Sequence, residues 1–441
     1  MLLMLAEDFD SVEDRIRLLL ATGDGEREPD ECRRLIRSYI DAHSDRNGFV
    51  SRWDAGDAVE GAHMVIDKAL AAVEDGAWPY GLEMLLLVIE EMIELLQSAD
   101  DSDGDIGAVI KRSLESIGGI VRERRRIPPE ERAGMFRRLL EETRNPVYEG
   151  WSEWQIDLLE AANELIESDE MTREWEDAAE SLLARNSDGE WFREFAERQI
   201  AMMRYRRLLE RHGEERALEF AYEHLQFPDL REIAIRAALD RGKTSEAIRL
   251  LEDGEERDQR WPGHVFRWKK LRYEAYVRSG QIESQRELAK ELIAGGEVSY
   301  YHSVKATFAD EGEWSAYLRD LLDALEQGSW RAQEAYEQIL LEEGLYERLL
   351  KHVRKSPSRI ESFHSVLMPH HPEEVKALFE SRIKSLAQYA ANRKEYAHVC
   401  RVIRMLAKAG GREEAQAITR KLMEQYARKP AFRDELGKIW R

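Results

Sequence analysis

Gly242-Lys243-Thr244-Ser245-Glu246-Ala247 and, far downstream, Gly411-Arg412-Glu413-Glu414-Ala415 share one local wording: a glycine closing one helix, then polar residues, a glutamate and an alanine opening the next. Glycine ends a helix with least strain because it enters the left-handed region without a Cβ penalty. Glycines between apolar helical stripes stand at Gly213, Gly242, Gly280, Gly312, Gly344 and Gly411, spaced 29, 38, 32, 32 and 67 residues apart, the last close to two units. Pro369-His370-His371-Pro372 supplies the missing turn. A period of this size is that of a helix pair, which cannot bury its apolar face alone and must stack on its neighbours. Residues 190–441 are expected to form an α-solenoid of helix-turn-helix repeats.

A period near 34 residues with a small residue in the second helix resembles the tetratricopeptide repeat. The unit ending at Gly280 has Tyr276 where that repeat favours an aromatic, and Gln285 where it has alanine.

Upstream the pattern is helical but not periodic. Ser11-Val12-Glu13-Asp14 reads as a helix start. Trp53, Val59, Ala62, Ile66, Leu70 and Val73 form one stripe, and Leu82 to Ile93 is apolar on most sides, as in a central bundle helix. Ile106, Val109, Ile110, Leu114 and Ile117 mark the next helix, and Pro128-Pro129-Glu130-Glu131 opens another. Breaks at Asn145-Pro146 and Asn186-Ser187-Asp188-Gly189 divide the chain into an N-terminal helical bundle at 1–148, connecting helices at 149–189 and the solenoid at 190–441. The fold class expected is all-α.

Composition agrees. Of 441 residues 43% are hydrophobic, enough for a sizeable core, and only 11 are proline. Cys32 and Cys400 are too far apart in sequence to suggest a CxxC metal site, which fits a reduced, cytoplasmic protein. The opening Met1-Leu2-Leu3-Met4-Leu5 is too short for a signal-peptide core, and no apolar run reaches the length of a membrane span. Net charge is −22 and unevenly placed. Residues 1–105 hold 26 acidic and 9 basic side chains, net −17, whereas residues 351–441 hold 10 acidic and 20 basic, net +10. Such a dipole suits either uneven solvation or a basic terminal surface for an acidic partner.

Four stretches carry a family likeness. Glu31-Cys32-Arg33-Arg34-Leu35-Ile36-Arg37, His43-Ser44-Asp45-Arg46-Asn47-Gly48-Phe49-Val50, Ala99-Asp100-Asp101-Ser102-Asp103-Gly104-Asp105-Ile106-Gly107 and Gly150-Trp151-Ser152-Glu153-Trp154 resemble the helical region of bacterial SWIM-type zinc-finger proteins. The resemblance covers roughly residues 30–160. It implies a protein-interaction region attached to, or derived from, a finger that binds nucleic acid or protein. The finger itself, CxC followed by CxH, cannot be built from two isolated cysteines, so no zinc role carries over.

The remaining motifs read as structure. Calcium loops centred on Gly104 or Gly48 would place Ala99 and Ile110, or His43, where oxygen ligands must stand, so their aspartates are expected to cap helices and turns. Gly242-Lys243-Thr244 imitates the end of a phosphate loop, but the earlier glycine would be Ala237 within a helical stripe. His364, His370 and His371 have only Glu361 and Glu373 nearby in sequence, and are expected at turns. Trp151, Trp154, Trp175, Trp191, Trp261, Trp268, Trp314 and Trp330 are expected mostly to pack between helix pairs. Arg122, Arg124, Arg125 and Arg126 lack interleaved aromatics and read as a helix end.

No catalytic residue, cofactor or metal ligand is expected, and neither HExxH nor GxSxG occurs. The function expected is a non-catalytic protein-interaction scaffold or adaptor. An accessory nucleic-acid factor using the basic C-terminal segment is the alternative. Lys351, Arg354 and Lys355, and then Arg401, Arg404 and Lys408, are spaced to share helix faces and are the expected partner-binding residues.

Overall fold

The computed structural model describes residues 28–185 and 190–440. The helix start at Ser11, the break at Asn186–Gly189 and the Trp191 side chain lie outside the described residues. Among the described residues the fold is all-α, and the one β-type pairing is an isolated bridge between Val50 and Ala99. The chain divides into two compact units, Met1–Asp240 and Arg241–Arg441. Both breaks marked by composition, near 148 and 189, fall inside the first. The structural division follows Asp240, in a turn that differs in no compositional way from other inter-helix turns.

The first unit runs α1 (Glu28–Ala42), a short α2 (Ala55–Ala58), α3 (Glu60–Glu74), α4 (Trp78–Leu96), α5 (Asp105–Arg122), α6 (Pro129–Glu142), α7 (Ser152–Glu164), α8 (Asp169–Arg185), α9 (Glu190–His212), α10 (Glu214–Glu223) and α11 (Pro228–Asp240). As its all-round apolar pattern requires, α4 is the hub: α1, α3, α5 and α6 all pack on it. Pro79 stands in the first turn of α4 and Pro129 in that of α6, where a missing N–H costs nothing. Asp101 caps α5 from the preceding loop, accepting from the Ile106 and Gly107 amides at 2.9 and 3.0 Å. Asp45 similarly takes the Asn47 and Phe49 amides at 2.7 and 3.0 Å. The Val50 bridge, with Val50 N 3.0 Å from Ser98 O, then ties these two loops together.

The second unit continues α12 (Thr244–Arg257), α13 (Pro262–Ser279), α14 (Ile282–Ala294), α15 (Ser299–Lys305), α16 (Glu311–Glu326), α17 (Trp330–Glu342), α18 (Tyr346–Lys355), α19 (Ile360–Leu367), α20 (Pro372–Tyr389), α21 (Arg393–Lys408), α22 (Arg412–Gln425) and α23 (Pro430–Gly437). Except at the short α15, whose place beside α16 is taken by α14, each helix packs on the next, and second neighbours also meet: α20 touches α22 and α21 touches α23. This succession of helices is a solenoid, and from Tyr273 of α13 to the last helix it is built round one continuous core. Gly242, Gly280 and Gly344 take left-handed turns with φ of +73°, +67° and +66°. Gly312 does not: it lies in the first turn of α16, whose start is set by Asp310 accepting from Glu313 N at 2.8 Å. In the last pair of turn glycines, Gly410 rather than Gly411 has the left-handed φ, +106°. Gln285, at the position where the tetratricopeptide pattern has alanine, is buried and donates to the Tyr273 hydroxyl at 2.9 Å.

Most tryptophans pack as expected. Trp175 and Trp268 are fully buried and Trp314 nearly so, but Trp261 and Trp330 are exposed. Trp53, expected in a core stripe, is 79% exposed under the Arg52 guanidinium. Both cysteines are free and buried, and burial pushes each thiol up to about 11.

Candidate interaction surfaces

Helix α21 has two faces with different work. Val399, Cys400, Val402, Ile403 and Leu406 are buried in the stack. Asn392 starts the helix by accepting from Glu395 N at 3.1 Å, and Glu395 returns the contact by taking Ala391 N at 2.6 Å. The outward face presents Lys394, Ala397, Arg401, Arg404 and Lys408, all exposed and three or four residues apart in succession. Asn392, Lys394, Glu395, His398, Arg401 and Arg404 border one open groove along it, the Glu395 carboxylate being taken up by the Ala391 amide and the Asn392 side chain. Over sixteen residues the stripe is roughly 24 Å long.

The flanks fix this face. His398 Nε2 lies 3.0 Å from Glu361 Oε2 on α19, and Arg382 of α20 donates to the other oxygen at 3.0 Å. Burial alone would raise the Glu361 carboxyl, but those two hydrogen bonds hold it below the usual carboxylate range. On the other side Arg393 pairs with Asp434 of α23 at 3.3 Å, and Arg404 reaches the Lys438 carbonyl at 3.5 Å. Lys394, Arg401 and Lys408 enter no ion pair among the described residues. A row of cations is left uncompensated between anchored neighbours.

The other half of the expected surface is placed elsewhere. Lys351, Arg354 and Lys355 are exposed on α18, which packs on α17 and α19, whereas α21 packs on α20, α22 and α23. Lys355 donates to Glu326 at 2.6 Å, a hydrogen bond that raises its pKa, and Arg354 stands 4.0 Å from Glu374. Only Lys351 of this trio lacks an ion pair among the described residues. The six residues form two separate stripes. Lys394 and His398, absent from the expectation, belong with Arg401; the signal was the register, since Lys394 precedes Arg401 by two helical turns.

Elsewhere buried charge is answered internally. Glu337 and His352, each about one-twelfth exposed in the side chain, meet at 2.7 Å, and Arg359 Nε pairs with the same Glu337 oxygen at 2.9 Å. In the first unit, Glu91 of α4 accepts from Arg33 at 2.8 Å and Arg37 at 2.6 Å, and Glu142 of α6 accepts from Arg138 at 2.7 Å and Asn145 at 3.0 Å. Glu90 sits between these pairs. Burial first, and then repulsion from Glu142, pushes its carboxyl up to about 7 against the pull of Arg33 and Arg138. The folded chain therefore keeps a proton that the unfolded chain releases at an ordinary carboxylate pKa. Stability from this group is present at low pH and is lost as pH rises from that ordinary value through about 7. Glu90→Gln is expected to raise the melting temperature at about pH 8, with the gain shrinking toward about pH 5. An equal change at both pH values would show that Glu90 does not titrate in this window.

The remaining motifs sit in turns. Gly242 closes an inter-helix turn in which Lys243 pairs with Glu246 at 3.6 Å. His370 stacks on Tyr346 with ring centres 4.0 Å apart, and His364 Nδ1 lies 3.2 Å from the Glu361 carbonyl. Among the described residues no three His, Cys, Asp or Glu side chains converge as metal ligands would, and no described helix is long and apolar enough to cross a membrane. Arg124 is drawn inward to Glu164 at 2.5 Å and to Glu210, and Arg126 lies over the Trp78 ring.

Comparison with known proteins adds little. No family model matches the chain, and no curated protein does. Among solved structures, a circular tandem repeat protein with novel repeat topology and enhanced subunit contact surfaces aligns over 97% of this chain and 98% of its own length, at 15% identity and a TM-score of 0.23.

Proposed function

We propose that the chain is a non-catalytic protein-interaction scaffold whose C-terminal stack offers the basic face of α21 to an acidic protein segment. The observation that carries this reading is the row Lys394, Arg401 and Lys408, which enters no ion pair among the described residues, flanked by the Arg382–Glu361 and Arg393–Asp434 pairs. An uncompensated row on a rigid helix attracts an oppositely charged partner over a distance and fixes its register. A protein is favoured over nucleic acid because the aromatic of this helix, Tyr396, is buried, so the face offers no stacking platform for bases. The resemblance of residues 30–160 to an interaction region fits the same reading.

Arg401 and Arg404 reversed together to glutamate should weaken binding of an acidic amphipathic peptide by about tenfold or more at low ionic strength, mainly through slower association. The salt dependence of the remaining binding should flatten. Folding stability should move by less than about 1 kcal/mol, because these side chains are exposed. Stopped-flow association at several salt concentrations checks both. Unchanged association at low salt would reduce the stripe to a solvated helix face.

A further inference from the structure

A second surface lies wholly within the first unit, where α5 and α7 pack side by side. Between them runs a groove of about 820 Å³. Its floor is apolar, from Leu114 and Val121 of α5 and Trp154 and Ala161 of α7. Trp154 is held by stacking on Trp151, ring centres 4.8 Å apart and planes 11° from parallel.

Two observations say what the groove is for. The first is the glycine pair Gly118-Gly119 in the interior of α5. Each glycine there costs about 1 kcal/mol of helix propensity relative to alanine. Packing within the unit does not demand them: a Cβ on Gly119 would meet nothing within 4 Å, and one on Gly118 only the tip of Arg122 at 3.3 Å. Gly118 instead lines the groove, where it leaves room for the flexible Arg122 side chain, whose Nε donates to the Gly118 carbonyl at 2.8 Å.

The second is charge. Glu153, Asp157, Glu160 and Glu164 follow one another at helical spacing along the α7 rim. Glu160 is answered by Arg206 and Glu164 by Arg124, and on the α5 side Lys111 pairs with Glu115 at 3.8 Å while Arg122 donates to the Gly118 carbonyl at 2.8 Å, but Glu153 and Asp157, on either side of Trp154, enter no ion pair among the described residues. Asp157 faces solvent in the groove mouth, yet the surrounding protein, with Glu160 and Glu153 close by, pushes its carboxyl up to about 6. A cation placed between these carboxylates would relieve that crowding.

We infer that the α5–α7 groove is a docking site for a basic amphipathic helix of a protein partner. The partner's leucine-like side chains lie on Leu114, Val121 and Ala161 over Gly118, and its lysines or arginines meet Glu153 and Asp157 beside Trp154. The α5 residues that line the groove run from Gly107 to Arg122, a span of about four helical turns, roughly 22 Å, which matches the length of a docked helix. This surface shares no residue with the α21 face.

The test uses the full chain and a labelled sixteen-residue model helix with leucines along one edge and lysines beside them, its binding followed by fluorescence anisotropy. A control peptide carries glutamate in place of lysine. The lysine peptide should bind saturably, and Glu153→Lys with Asp157→Lys should weaken it at least tenfold. Gly118→Leu, which changes no charge, should also weaken it about tenfold by filling the floor, without lowering the melting temperature; Gly118→Ala serves as a milder version. Reversal of Arg401 and Arg404 should leave this peptide unaffected, so either surface can fail alone. No binding of the lysine peptide, or affinity unaltered by both the charge and the glycine variants, overturns the inference.

Discussion

Trp268→Ala is expected to destabilise the second unit by about 4 kcal/mol, near the upper part of the range for removing a buried aromatic. Trp268 is completely buried on α13. Its indole Nε1 donates to Asp258 Oδ2 at 2.6 Å, and Asp258 is itself only 7% exposed. Truncation therefore leaves a large cavity and also withdraws a donor from a buried carboxylate, two costs that add because neither group can turn to water. Trp268→Phe separates them: it keeps most of the volume, loses the donor, and should cost about 1–2 kcal/mol. Urea unfolding followed by helical circular dichroism measures both. A Trp268→Ala chain within about 1 kcal/mol of wild type would mean that α12 and α13 do not close round this side chain.

Gly61→Val should cost about 3 kcal/mol in the first unit, for the opposite reason. A bare Cβ at Gly61 would already lie 3.0 Å from the Tyr39 ring, 3.1 Å from the Ile36 Cα and 3.1 Å from the Leu35 carbonyl. Two of those three atoms are backbone of α1, so no rotamer change clears the way and the helices must separate. Valine adds two methyl groups to that contact, and the gain in helix propensity over glycine, under about 1 kcal/mol, does not offset them. Gly119→Val, in the same unit but with open space around it, should be tolerated. If both valines cost the same, the close approach of α1 and α3 is not what Gly61 provides.

These two residues show what can and cannot be read from the chain. The helices, and the turns at Gly242, Gly280 and Gly344, were legible because left-handed closure and apolar periodicity are local properties. The hub role of α4 was legible for the same reason: a helix apolar on all sides must be covered on all sides. Gly312 misled because a glycine in a first helical turn has the same letter as one that closes a turn. Trp53 misled because a tryptophan in stripe register can still fall just outside the helix, where it faces water.

Sites depend on partners, and partners are tertiary. Arg401, Arg404 and Lys408 were legible as one face, since three- and four-residue steps decide that alone. That Lys355 is bonded to Glu326 while Lys394 and Arg401 have no ion-pair partner among the described residues depends on which helix lies alongside, and spacing carries no such information. The α5–α7 groove was illegible altogether. Leu114 and Trp154 are far apart in sequence, and nothing in either helix alone states that the two face one groove.

The interaction reading is tested most directly by capture from a nuclease-treated extract of the source organism on immobilised full-length chain, wild type against the Arg401→Glu, Arg404→Glu double variant, with retained proteins identified by mass spectrometry. The predicted result is an acidic protein held by the wild type after nuclease treatment and lost from the double variant, while both chains show the same helical circular dichroism and melting temperature. Identical retention on both chains, or retention that nuclease abolishes, would contradict it.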